Sequence, residues 1–291
     1  MISRRTGVGV LVGITAMMAV IGWLLPRIPQ PQSYHMFADR RSFLGIPNFN
    51  DVVSNLPFAA IGFWGLVFLV CSNREQAPRH FFDRRERWPY LVVFAGLLLT
   101  AFGSSYYHMY PSNARLVWDR LPMVIVFMSI VAAIIAERLS LRAGLWLMPL
   151  LLLIGVGSVL QWYLTELRGS SDLRLYAAVQ AYALVFLFVA LLLPSRYTRG
   201  RDLVIVAGLY ILAKALEALD KPIFELEHIV SGHTLKHLAA AGAGYGILRM
   251  LRKRRSLDAI PWGQPRFAAE GREREFAGRN PESHQRLPRH H

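Results

Sequence analysis

Cysteine is almost missing from this chain: Cys71 is the sole thiol among 291 residues, and it sits inside an apolar stretch. A disulfide framework and any cysteine-based zinc site are thereby excluded. Charge is scarce too. Asp, Glu, Lys and Arg make up 18% of the residues, where an ordinary soluble domain has roughly 25%. Acidic residues are the scarcer sign, 19 against 33 basic ones, for a formal net charge of +14. What is plentiful is apolar: 54% of the chain, with a mean hydropathy of +0.31. These residues neither alternate nor recur at a surface-helix period but arrive in blocks of about twenty, which excludes a disordered chain and points to a polytopic membrane protein.

Windows able to cross about 30 Å of hydrocarbon fall near 7–25, 51–71, 90–109, 119–136, 143–164, 174–193, 203–219 and 229–248. Short polar connectors lie between them, with breakers such as Pro26, Pro31, Pro111, Pro194 and Pro222. No internal repeat and no second soluble domain is visible. Eight crossings put both ends on one side. That side receives Arg4, Arg5, the five arginines of 72–89, Arg138, Arg142, Arg196, Arg199, Arg201 and the basic residues from Arg249 onward, 23 in all. The other side receives eight, namely Arg27, Arg40, Arg41, Arg115, Arg120, Arg168, Arg174 and Lys221. Positive residues mark the cytoplasmic side, so both termini are expected there. The basic excess then reads as a topology signal and not as a nucleic-acid footprint.

Residues 1–30 form an extra N-terminal helix and its connector, 31–251 the main bundle, and 252–291 a basic tail. The first block has the Arg4-Arg5 start of a signal peptide. It lacks a convincing small-residue cleavage site before Pro26 and is long enough to span, so a retained helix is expected. The tail carries Arg272, Glu273, Arg274 and Glu275 among Gly, Pro and Gln without an apolar period. It is expected to be mobile or to lie against anionic headgroups.

An ionisable side chain at membrane depth costs about 2.5–3.5 kcal/mol on insertion scales, so each one inside a block raises a functional question. Glu137 and Arg142 sit at block ends where water is in reach, and Lys214 with Glu217 has the i,i+3 spacing of a helix pair. The histidines differ. His284, His290 and His291 lie in the tail, His35 and His80 in connectors and His228 at a helix start, which leaves His108, His233 and His237. A four-residue spacing stacks His233 and His237 on one helix face, as two imidazoles sharing a metal ion require. A hydrogen-bonded pair is the plain alternative. Opposite helix directions place His108, near the outer end of its block, at the depth of the other two. Three histidines leave an open coordination position, the arrangement of a catalytic zinc, whereas magnesium and calcium prefer oxygen ligands.

Ser104 stands one turn before His108 on the same face, and Asp119 opens the next block after Tyr110-Pro111-Ser112-Asn113. A carboxylate at that depth can accept a proton from water at the metal or orient a histidine. A serine hydroxyl can steady a developing oxyanion. Each also has an ordinary explanation, a serine bonded to its own helix and an aspartate capping a helix start.

Ser104-x3-His108, Asp119 eleven residues on, and His233-x3-His237 in the last block resemble the alkaline ceramidases and the hydrolase superfamily that also includes the adiponectin and progestin receptors. The stretch Asn48-Phe49-Asn50-Asp51-Val52-Val53-Ser54-Asn55-Leu56-Pro57-Phe58 looks like the start of the first ceramidase helix. The resemblance covers about residues 35–250. It implies an all-α fold of seven family helices, here with one extra N-terminal helix. It also implies hydrolysis of a ceramide-like lipid to a sphingoid base and a fatty acid. His108, His233 and His237 would hold zinc, Asp119 would accept the proton of the attacking water, and Ser104 would be the oxyanion partner.

Animal members carry an acidic calcium site before their first family helix. Here the region reads Asp39-Arg40-Arg41-Ser42-Phe43. Asp39, Asn48, Asn50 and Asp51 could offer calcium oxygens, but the expected arrangement is Arg40 and Arg41 pairing with Asp39 or meeting an anionic headgroup. The rival class is a receptor-like or lipid-binding membrane protein with a structural zinc. Haem is a weaker rival, since no paired second ligand site is visible. Compact connectors and arginine-rich, lysine-poor usage suggest a prokaryotic inner membrane. The sequence is silent on acyl chain, sphingoid base and oligomeric state.

Overall fold

The structure is a computed structural model, and it describes residues 3–71 and 80–257. The tail beyond 257 and part of the arginine-rich loop after Cys71 lie outside the described residues. The described chain is a helical bundle without a β-strand; its helices are α1 (Arg4–Leu24), α2 (Phe49–Val53), α3 (Leu56–Cys71), α4 (Arg87–Met109), α5 (Asn113–Arg138), α6 (Leu141–Leu167), α7 (Arg174–Leu191), α8 (Asp202–Ala218), α9 (Asp220–Glu227) and α10 (Gly232–Lys253).

Local chemistry explains where several helices start and stop. Ser112, Ser140 and Ser231 each accept a backbone N–H three residues on, from Arg115 at 3.3 Å, Ala143 at 3.3 Å and Thr234 at 3.0 Å, satisfying donors that a helix start leaves unpaired. Tyr110 before Pro111 ends α4, because the residue ahead of a proline is driven out of helical geometry. Pro57 separates α2 from α3: it has no N–H to offer the Val53 carbonyl and its ring crowds that position. The chain turns at Ser54 and Asn55 instead. Pro222 is not a connector residue but lies in the first turn of α9, where a missing N–H costs nothing.

Six segments are long and apolar enough to cross a membrane: Arg5–Leu24, Phe49–Cys71, Arg84–Met109, Asn113–Arg138, Leu141–Leu167 and Arg174–Leu191. The chain is a multi-pass membrane protein on that ground. α8 has 17 residues, and α10, although 22 long, carries histidines and Lys236.

The helices α3, α4, α5, α7, α8 and α10 pack each against the next, and α10 returns to α3, closing a ring. α6 packs outside against α5 and α7, and α1 lies on α7, where Leu11 is buried and Thr15 Oγ1 sits 3.1 Å from the Tyr182 hydroxyl. In α5, 72% of the apolar window is buried inside the protein against 11% in α1, so α5 is central and α1 peripheral. With lipid as the alternative solvent, such contacts depend on close packing more than on apolar transfer. Gly103 shows the consequence: a Cβ there would lie 2.0 Å from the Trp118 carbonyl oxygen. Only a glycine lets α4 and α5 meet beside Ser104 and Asp119.

At the opposite end of the bundle from the histidines, Arg254 is buried and pairs with Glu137, which also accepts from the Tyr90 hydroxyl at 3.0 Å. Glu137 is therefore held by protein partners, whereas Arg142 is exposed.

Candidate metal centre

Two helices deliver the histidines. His108 lies in the last turn of α4, and His233 and His237 occupy the first two turns of α10. All three are buried, and one nitrogen from each lies within 4.8 Å of the others. Ring centroids stand 4.8 Å apart for His108 and His233, and 4.9 Å for each of the other two pairs. Among the described residues this is the one group of three or more His, Cys, Asp or Glu side chains placed to hold a metal ion.

The surroundings fit such a role. Nε2 of His108 and Nε2 of His233 are 3.3 Å apart; two bonds of about 2.0–2.1 Å at a tetrahedral centre separate their nitrogens by about 3.3 Å. Ser54 Oγ lies 2.8 Å from His237 Nδ1 and donates its own hydrogen to the Asp51 carbonyl at 3.2 Å. A hydroxyl has one hydrogen, so toward His237 it acts as acceptor, and Nδ1 carries the proton. The Nε2 lone pair of His237 is thereby left for the cluster. Asn48 donates to the His108 carbonyl at 2.7 Å, and Asp220 accepts from the His233 backbone N–H at 2.8 Å. Phe37 packs on both His108 and His233, with centroids 4.6 Å away in each case. Gly232 permits this register, since a Cβ would lie 2.3 Å from the Leu216 carbonyl oxygen.

A cavity of ≈ 230 Å³ runs through the middle of the ring, lined by all six helices. Its polar end holds Ser104, Asp119, Arg120, Glu217, Lys236 and His237, and its shaft is apolar. Ser104 and Asp119 both line this end. Asp119 does not open its helix: it lies in the second turn of α5, whose start is capped by Ser112. A capping role for Asp119 is thereby removed. Glu217 pairs with Lys214 as the i,i+3 spacing suggests, and also with Lys236 at 2.9 Å and the Tyr34 hydroxyl at 3.1 Å. His228 is not at a helix start; it ends α9 in a left-handed conformation with φ 53°.

Of the residues considered for calcium, Asp39 has both carboxylate oxygens engaged. Asp39 binds Arg41 through both carboxylate oxygens, at 2.8 and 2.7 Å, and accepts from Asn50 at 2.9 Å. Burial raises the Asp39 carboxyl, and the hydrogen bonds from Arg41 and Asn50 outweigh it, holding the group below its ordinary value. Asn48 faces His108 as described. Asp51 Oδ1 accepts from Thr234 at 2.7 Å and Ser231 at 3.3 Å. Arg41 also donates to the carbonyls of His228 and Ile229, at 2.8 and 2.6 Å, tying the connector before α2 to the turn before α10.

Sequence reasoning missed Ser54, Asn48, Phe37 and Asp220 as supports of the histidines. Ser54 had a signal, since Pro57 forbids a continuous helix through it; Phe37 and Asp220 had none. No model of a known protein family matches the chain, and no curated protein matches it.

Proposed function

We propose that this protein is a zinc-dependent amidase embedded in the membrane, hydrolysing ceramide-like lipids to a sphingoid base and a fatty acid, as its resemblance to the alkaline ceramidases implies. The observation that carries the reading is that His237, one of the three clustered histidines, lines the polar end of an apolar cavity that also presents Ser104 and Asp119. Three neutral imidazoles without a carboxylate suit zinc over magnesium or calcium. A zinc ion held there supplies Lewis acidity, making a water molecule nucleophilic near neutral pH and polarising a carbonyl.

The rest is done by the chain's own groups. The apolar shaft takes the acyl chain and brings the amide carbonyl to the polar end. Asp119 takes the proton of the attacking water and returns it to the departing amine nitrogen as the C–N bond breaks. Ser104, on the same end of the cavity as Asp119, is placed to donate its hydroxyl hydrogen to the oxygen that gains charge. No serine ester is needed, so Ser104 acts through its hydrogen bond and not as a nucleophile.

Counting α8 and α10 as spans with the six apolar segments makes eight crossings. With the uneven distribution of basic residues, this supports both termini on the cytoplasmic side, and the compact connectors and lysine-poor usage suit a prokaryotic inner membrane. The test is release of labelled fatty acid from a ceramide panel by purified protein, with and without a zinc chelator. Chelator-sensitive release is expected. Zinc binding without hydrolysis of any ceramide or simpler acyl amide would instead establish the receptor-like class.

A further inference from the structure

Arg120 is 4% exposed, and its Nη1 has no hydrogen-bond partner. Its other terminal nitrogen donates to Gln30 Oε1 at 2.6 Å. The guanidinium lies against Trp162, Tyr176 and Tyr34, 4.1, 4.5 and 5.6 Å from the ring centroids. Aromatic faces hold a guanidinium plane but leave its edge donors unsatisfied. A buried charged donor without a partner is costly, and such an atom in a native protein calls for an explanation.

Its position supplies one, because Arg120 lines the cavity next to Asp119. The ionisable groups lining that cavity are Arg120, Lys214 and Lys236 on one side of the balance and Asp119 and Glu217 on the other, besides His237 and three tyrosines. Both lysines share Glu217. The lining carries one positive charge in excess, and Arg120 is its cation with an unpartnered donor.

We propose that Arg120 is a carboxylate-binding residue of this cavity, its Nη1 donating to an acid group of a long-chain acyl amphiphile, so that the site prefers anionic to neutral lipids. This rests on the reading of the cavity as the lipid site, but not on hydrolysis. The carboxylate can come from a free fatty acid, the acyl product of amide cleavage, or from an N-acyl amino acid whose acid group stays on the amine half.

The experiment measures binding to the full-length, chelator-treated protein in detergent, where turnover does not interfere. Three probes share one chain length: palmitic acid, N-palmitoylglycine and neutral N-palmitoylethanolamine. A charge-assisted hydrogen bond predicts that the wild type binds at least one acid about tenfold or more tightly than the neutral amide. Arg120→Gln should abolish that advantage with neutral-amide affinity within about twofold, and Arg120→Lys, which keeps charge without the fork, should retain part of it. The acid that loses affinity in Arg120→Gln identifies the source. Equal wild-type affinity for all three probes overturns the proposal, and that measurement needs no variant to fold. So does a preference that survives Arg120→Gln. Failure of ceramide hydrolysis with this preference intact would count against the amidase reading alone.

Discussion

Ser54 and His237, 183 positions apart in the chain, are joined by a 2.8 Å contact between Oγ and Nδ1. It settles which ring nitrogen of His237 faces His108 and His233. Losing an outer partner of a ligating histidine lowers metal affinity by about 10–100-fold. Ser54→Ala is therefore expected to weaken zinc binding by that factor, measured by competition with a chromogenic chelator, with the helical circular-dichroism signal unchanged. Unaltered affinity would show that the imidazole is held by packing alone.

His108→Ala, His233→Ala and His237→Ala should each eliminate stoichiometric zinc, read by elemental analysis, together with amide hydrolysis. Asp119→Asn should keep the metal and lower turnover by about 10²–10⁴-fold, the usual span for a lost proton-transfer group. The separation of metal content from rate is the informative part. Full activity in a zinc-free His237→Ala protein would falsify the metal-centred mechanism.

Gly103 is a point of close backbone approach between α4 and α5. Gly103→Ala is expected to destabilise the bundle by about 1–3 kcal/mol through overpacking against the Trp118 carbonyl, seen as a lower thermal unfolding midpoint in detergent. Activity should fall further than that loss explains, because the same displacement moves Ser104 away from Asp119. Gly157, with open space around its Cβ direction, provides the control: Gly157→Ala should leave both quantities unchanged.

The Asp39–Arg41 pair bears on metal selectivity and pH. With both Asp39 oxygens on Arg41 and Asn50, hydrolysis should survive a calcium-selective chelator and be lost with a zinc chelator. The folded Asp39 carboxyl lies below its ordinary value. Its stabilisation is thus complete above the unfolded value of about 3.9 and disappears as pH falls through the lower folded value. Asp39→Asn should accordingly lower the unfolding temperature at pH 7 and make much less difference near pH 3.

Much of this protein could be read from one dimension. Apolar blocks of about twenty residues specify membrane helices because bilayer thickness is a length. The block boundaries followed the helices to within about five residues, except where capping rather than hydropathy decides: Ser112 caps α5, which starts at Asn113, six residues ahead of Asp119, and α9 was absorbed into connectors because its Asp, Lys and Glu residues break any apolar run. His233 and His237 were legible as a pair since a helix turns once in 3.6 residues.

What the bundle alone decided is which distant side chains meet. That His108 comes within 3.3 Å of His233 depends on α4 and α10 being held together, which no local period encodes. Ser54 turning onto His237, Phe37 covering two imidazoles and Arg120 keeping a free donor inside an aromatic enclosure are products of packing between remote segments. Sequence sets what each helix is and how far it reaches; the close approach of backbones at Gly103 and Gly232 sets which chemistry those helices bring together.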